Sequence, residues 1–424
     1  MPLSPDDVFI PGGLPHETYV SRDHLGLEGD LGRWIERRQK PLLSVSGPTK
    51  SGKTVLLKRT IPDAMWLSGG AIDSADDFWA SVCDELEVFT EHRLNVTNAH
   101  STGAEVAGGA NAAVISMSGT GRVEDTLDRG ISRGRTADPR SAARKALRER
   151  RPTIIIDDFH YIDADQQLLI VRGLKDLIFD GLAVVVAAVP HRAYDVVRVE
   201  KEMTGRVEPL PVAQWEEEDL ALIASQGFRA LGVSVSPEIV KRLVAESFGS
   251  PHLMQTHCLN LCVANRQGDV LREVFVEPEW REFFEKQASA TSKSAFDLLK
   301  TGPRTRTDRM VRTLKSGIQT DIYGAVLAAI ENTGPRTTLG YDDIRASLRD
   351  ILTSELPQRH EITNVLEQMT SIAKDKIEGE PVLEYDAEYS TLHLADPFFA
   401  YYLRWAPPGL KNIAVTRSSG GTSA

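Results

Sequence analysis

At 424 residues, with 41% hydrophobic and 26% charged side chains, the chain has the make-up of a soluble globular protein with length for about two or three domains. Its net charge of −11 excludes whole-surface attraction to nucleic acid or an anionic membrane and leaves room only for local basic patches. There are three cysteines, Cys83, Cys258 and Cys262, and with an apolar neighbourhood and no second pair Cys258 and Cys262 read as buried small apolar residues rather than a metal site. Asp6 and Asp7 stand where a signal peptide would be basic, and the most apolar run, 182–190, is far short of the ~20 residues of a membrane helix. A cytoplasmic protein with no membrane partner is expected.

Residues 1–40 open with a loop rich in Pro and Gly. Leu25, Leu27, Leu31 and Trp34 then recur near the helical period, which predicts an amphipathic helix over 23–38 feeding the first strand. Residues 42–58, LLSVSGPTKSGKTVLLK, run from an apolar strand through Gly47 to Gly52-Lys53-Thr54 and into a helical segment. This is G-x-x-x-x-G-K-T in the strand–loop–helix setting that gives the motif its chemistry. The glycines let main-chain N–H groups curl around phosphate oxygens, and the new helix turns its positive end toward the same anion. The nucleotide is therefore expected on Gly47, Pro48, Thr49, Lys50, Ser51, Gly52, Lys53, Thr54 and Val55. Lys53 would reach the β- and γ-phosphate oxygens, the Thr54 hydroxyl would hold Mg²⁺, and Lys50 and Ser51 add a charge and a donor.

A short strand is expected over 64–67, then a helix over 73–89 with Phe78, Val82, Leu86 and Phe89 on one face. Residues 101–135, mostly Gly, Ala, Ser and Thr, carry little apolar bulk to bury and read as a mobile or partner-dependent insertion, with a glycine-softened hairpin in the core as the alternative. Between 129 and 151, nine basic residues oppose Asp138 and Glu149, a local charge of +7. Either a solvated helix face or a nucleic-acid or inter-subunit contact explains it. Thr153-Ile154-Ile155-Ile156-Asp157-Asp158 then reads as a central parallel strand opening on a ligand crevice. Asp157 is placed for Mg²⁺, and Asp158 for the general base that orients the attacking water. Asp is one methylene shorter than Glu, so slow turnover is expected. His160 just beyond reads as a satisfied loop histidine, the alternative being a bond to that water. A helix over 164–179 leads to a buried strand, 182–189, ending at Pro190-His191-Arg192. Arg192 is a candidate γ-phosphate sensor, and Arg206 a candidate to act on a neighbouring subunit's nucleotide.

Residues 215–265 are periodically helical and contain Gly249-Ser250-Pro251, where Gly closes one helix and Pro opens the next. Residues 266–318 read as a transition. Within it Arg306, Arg309, Arg312 and Lys315, spaced by three, would form a basic stripe on a helix, facing an anionic partner or solvent. Helices over 322–332, 342–352 and 361–374, then a hairpin pairing 381–384 with 391–394, follow the winged-helix order. The third helix, with two Glu and one Lys over 361–374, suits a protein contact or a closing lid better than DNA phosphates. An aromatic helix over 396–405 closes the domain, and a disordered tail is expected from 407.

Assembled, residues 17–405 resemble the STAND branch of AAA+-like P-loop ATPases (signal-transduction ATPases with numerous domains) and the bacterial winged-helix ATPases near it. Tyr19-Val20-Ser21-Arg22-Asp23 is similar to that family's h-h-G-R-E entry motif, with Ser21 for Gly and Asp23 for Glu. Gly249-Ser250-Pro251 is similar to its G-x-P, and Arg192 falls where the family has its arginine sensor. The resemblance implies that Val20 and Pro251 flank an adenine base and that the winged helix responds to nucleotide state. The expected fold is α/β, a P-loop NTPase core with a parallel sheet flanked by helices, followed by a helical lid and a winged-helix domain. The expected boundaries are 1–40 strap and helix, 41–205 core, 206–290 lid, 291–318 basic linker, 319–405 winged helix and 406–424 tail. The expected function is an ATP- and Mg²⁺-dependent, slowly hydrolysing switch of bacterial signalling or defence type, acting on a separate effector protein and capable of homo-oligomerisation. The alternative is a DNA-binding ATPase of initiator or transposition-loader type.

Overall fold

The computed structural model describes residues 3–88, 138–189, 195–268, 270–288, 291–303, 309–334, 336–377, 381–407, 411 and 413. The 101–135 insertion, Arg192 and nearly all of the tail lie outside them. The chain divides into two compact units: Gly29–Ser46 with Leu57–Leu210, the sheet unit, and Met1–Glu28, Gly47–Leu56 and Pro211–Ala424, the helical unit.

The sheet unit is built on α1 (Leu27–Glu36), β1 (Leu42–Ser46), α2 (Lys53–Thr60), β2 (Met65–Ser68), α3 (Ala75–Glu85), α4 (Pro139–Arg150), β3 (Ile154–Asp157), α5 (Ala164–Phe179), β4 (Val184–Ala188) and β5 (Val207–Pro211), with α2 counted in it only from Leu57 on. The predicted 23–38 helix starts only at Leu27. Arg22 (φ 50°) and Gly26 (φ 65°) are left-handed and bracket a single 3₁₀ turn, which no α-helix can continue through. Five strands form a sheet in the order β2-β3-β4-β1-β5, with β2–β3, β3–β4 and β4–β1 paired in parallel. Strands β1, β3 and β4 are buried at every residue, as apolar runs covered on both faces must be, whereas β5 alone is mostly unburied and takes an edge. Between helices and sheet, Phe78, Trp79 and Val82 of α3 pack with Ile170, Val171 and Leu174 of α5. A Cβ on Gly173 would run into the Trp79 indole, so this contact needs glycine. Among the described residues of 129–151, three basic side chains serve structure: Arg144 donates to the Gly173 carbonyl, Arg150 to that of Leu86, and Arg140 lies 6.0 Å from the Trp79 ring.

The helical unit has one continuous core, from Val8 and Phe9 to Ala406. Its elements are α6 (Glu217–Ala230), α7 (Pro237–Ala245), α8 (Pro251–Ala264), α9 (Trp280–Gln287), α10 (Thr291–Thr301), α11 (Ile322–Asn332), β6 (Thr338–Gly340), α12 (Tyr341–Ile351), α13 (Arg359–Lys376), β7 (Glu384–Asp386), β8 (Thr391–His393) and α14 (Pro397–Trp405). Strands β6-β8-β7 form an antiparallel sheet behind α11, α12 and α13, the full winged-helix arrangement. The sequence signals only the β7–β8 hairpin, because the three residues of β6 are too short to show a period.

Two further differences lie between 266 and 318. Helices α9 and α10 occupy what reads as a transition, α9 held by Phe284 against Trp405 (4.8 Å) and α10 by Phe296 against Tyr402 (5.7 Å). Over the described residues 309–315 the helical basic stripe is not formed, and Arg306 lies outside the described residues. Arg309 pairs with Asp321 at 2.6 Å, and Arg312, 3% exposed in a two-residue strand, donates to the Glu355 carbonyl and to Glu361. Those two guanidiniums hold the domain together and do not face an anionic partner.

Candidate nucleotide-binding site

The phosphate loop follows β1 directly and packs within the helical unit. Its path needs left-handed backbone at Lys50 (φ 59°) and at Gly52 (φ 91°), a value that glycine adopts without strain. A Cβ on Gly47 would collide with the Val212 carbonyl, so the first glycine of the motif is required by close approach. Lys53, 7% exposed, donates from Nζ to the carbonyls of Gly47 (2.8 Å) and Pro48 (3.0 Å), holding the ammonium inside the loop. Ser51 is 3% exposed and its Oγ has no hydrogen-bond partner. A buried hydroxyl left this way in a glycine-containing loop fits an acceptor such as a phosphate oxygen.

Lys50 is drawn elsewhere. Its Nζ lies 3.1 Å from Asp396 Oδ1 and 3.9 Å from the Phe398 ring, at the start of α14. Asp396 also accepts from the Phe398 N–H, so one carboxylate caps the helix and holds the loop lysine. To a phosphate Lys50 offers its main chain; its charge goes to the winged-helix domain.

Three consecutive residues after β5 organise the surroundings. The Ala213 carbonyl accepts from Arg22 Nη1 at 2.8 Å. Gln214 Nε2 donates to the Phe248 carbonyl at 3.4 Å, in the turn where Phe248 and Gly249 are both left-handed before Pro251 opens α8. The Trp215 indole Nε1 donates to the Ser51 carbonyl at 2.7 Å. Arg22 lies 4.7 Å from the Trp215 ring and is 5% exposed, and burial, only partly offset by Asp219, Tyr19 and Glu216, pulls its pKa below the usual arginine value. Val20 is buried in the core of this unit and Pro251 is half-buried at the start of α8. Sequence reading placed Arg22 within a motif but missed Trp215, whose only signal is an aromatic residue beside the acidic start of a helix.

In the sheet unit, Ser46 at the end of β1 pairs with Ala188, and Ile156 pairs with Val186, so β1 and β3 open on the same edge of the sheet. With β4 between them they stand about 10 Å apart. Asp157 is 8% exposed and accepts the Asp158 N–H at 3.1 Å. Asp158 is left-handed (φ 54°), and Gln167, 2% exposed, donates to the Phe159 and Ile162 carbonyls to hold the turn that follows. His160 packs against Tyr161, ring centroids 4.4 Å apart. A phosphate loop after β1, an acidic β3 end on the same edge, and one strand between them decide the fold. It is that of a P-loop NTPase.

No protein-family model and no curated protein matches the chain. Solved structures do. The chain is similar to the Walker-type ATPase paby2304 of Pyrococcus abyssi (14% identity over 92% of this chain and 99% of that one, TM-score 0.49). It is similar to the Aeropyrum pernix ORC2 protein (13%, 96% and 97%, TM-score 0.48). It is also similar to the Signal Transduction ATPase with Numerous Domains from Pyrococcus horikoshii with a tetratricopeptide repeat sensor (15%, 92% of this chain, TM-score 0.35), of which it spans 43%.

Of the P-loop NTPase's expected arginines, Arg192 is outside the described residues. Arg206 sits where β1 begins, its carbonyl accepting the Leu42 N–H and its guanidinium 5.6 Å from the Phe179 ring. That is the opposite end of β1 from the phosphate loop, so Arg206 is no ligand for a nucleotide on its own chain. Among the described residues no group of three or more His, Cys, Asp or Glu forms a metal site, and no helix is long and apolar enough to cross a membrane.

Proposed function

We propose that this protein is an ATP-binding, slowly hydrolysing switch that passes nucleotide state from its phosphate loop to the lid helices and the winged-helix domain, and from there to a partner protein. The observation that carries the reading is the seating of the loop: Lys50 on Asp396 and Phe398 of α14, and Ser51 on Trp215 at the entry to α6. A loop that changes when a triphosphate enters changes those contacts with it. Lys53 and the loop amides would carry the phosphates, Val20 and Pro251 the base, and Arg192 would sense the γ-phosphate. A buried carboxylate and a threonine hydroxyl are oxygen donors of the kind Mg²⁺ takes, so Asp157 and Thr54 are its proposed ligands. When bound, Mg²⁺ would offset charge on the phosphate oxygens. Asp158 would accept the proton of the attacking water.

Lys53→Ala tests this. It removes a charged hydrogen-bond donor, and ATP affinity is expected to fall at least about 10-fold to 100-fold. Undiminished ATP binding by the variant in equilibrium titration overturns the reading. The alternative of a DNA-acting loader rests on basic stretches, and Arg309 and Arg312 of one of them are paired inside the helical unit. A salt titration against duplex DNA separates the two, because several phosphate contacts would give a steep loss of affinity with salt.

A further inference from the structure

A peptide group is planar and trans, so its C=O and N–H point in opposite directions. Whatever fixes the direction of the Ser51 carbonyl therefore fixes the direction of the Gly52 N–H. The Trp215 indole does this, with Nε1–H donating to the Ser51 oxygen at 2.7 Å. Gly52 is the residue that lets the plane turn this way: it is left-handed at φ 91°, and a Cβ on it would rest 3.9 Å from the indole ring. The indole in turn has little freedom. The Arg22 guanidinium lies 4.7 Å from its ring and is anchored to the Ala213 carbonyl two residues before it. Left to itself, a glycine-containing loop samples both orientations of that peptide, and only one of them offers the amide to an anion.

We propose that Trp215 is a positioning residue of the phosphate site. Its indole N–H locks the Ser51–Gly52 peptide so that the Gly52 amide is aimed at the bound polyphosphate, and Arg22 braces the ring. The proposal rests on the nucleotide reading above and adds to it the residue that prepares the loop before nucleotide arrives. Such preorganisation acts on the phosphates alone, whatever base or sugar is attached.

Trp215→Phe keeps an aromatic ring under Arg22 and deletes the donor. Trp215→His keeps a donor in nearly the same place, because Nε2 of imidazole occupies the position of Nε1 in the pyrrole ring of indole. Both full-length variants and the parent are titrated with ATP and with inorganic tripolyphosphate, and their unliganded melting temperatures are measured as a folding control. Trp215→Phe is expected to weaken both ligands by the same factor, about fivefold to tenfold, with the His variant recovering part of that loss. Parent protein that binds ATP while the Phe variant binds tripolyphosphate equally well overturns this proposal alone. So does a His variant no tighter than the Phe variant, or a lowered melting temperature that accounts for the loss in both. Parent protein that binds neither ligand overturns the nucleotide reading and this inference together.

Discussion

Asp158 joins two constraints in one residue. Its left-handed backbone (φ 54°) ends β3 abruptly, and a carboxylate tolerates that conformation better than most side chains. The turn also brings its carbonyl against Gly69 at the end of β2, where any Cβ would overlap it. Gly69→Ala is therefore expected to destabilise the protein by about 1–3 kcal/mol, read as a lower urea midpoint. Asp158→Asn should do the reverse of what Lys53→Ala does: ATP stays bound, and hydrolysis in a single-turnover assay slows by about 10²-fold or more. The motif residues were legible because phosphate chemistry dictates a linear pattern. Trp215 and Asp396 were not, since each acts through a contact with residues distant in sequence.

Among the elements, the join between α7 and α14 is the most heavily committed. Glu246, at the end of α7 and 1% exposed, accepts from Arg404 Nε (2.7 Å) and Nη2 (3.0 Å) and from the Trp405 indole (2.7 Å). Burying this charge is tolerable only because its oxygens are filled. Glu246→Gln leaves the partly exposed Arg404 facing a neutral amide and is expected to cost about 1–3 kcal/mol, measured by denaturant unfolding. The helices themselves were readable from their period, including α11 and α13, whose ends match the expected ones within a few residues. The stripe expected from Arg306 to Lys315 is absent over the described residues 309–315 for a physical reason: spacing by three says nothing where Arg312 lies in a strand and the Arg309 and Arg312 guanidiniums have partly buried acids to meet.

At the scale of the whole molecule, two of the described histidines give stability a pH dependence. His257 is fully enclosed, its ring nitrogens 2.8 Å from Gln287 Oε1 and 3.1 Å from the Glu246 carbonyl, and burial outweighs those bonds to push its pKa below the ordinary 6.5. His252, set edge-on against Phe398, is lowered by burial and then by the Lys50 charge. Both are neutral in the folded chain where the unfolded chain would be protonated. Stability is thus complete above about pH 6.5 and declines as pH falls below it, because the unfolded state takes up more protons. A melting temperature that drops between pH 7.5 and 5.5, with a smaller drop in His252→Asn, is the expected result.

The order of amino acids alone determined a strand, a glycine loop and a helix in the pattern that suits a polyphosphate, an acidic strand to accompany them, and a winged-helix run to follow. These are local patterns, each imposed by the period of an element or the chemistry of an anion. Only tertiary structure decided the strand order that sets β4 between β1 and β3, the third strand of the wing sheet, and the turning of Lys50 toward α14. Those depend on which surfaces exclude water together and which charges find partners across the chain, and no window of sequence contains both sides of such a contact.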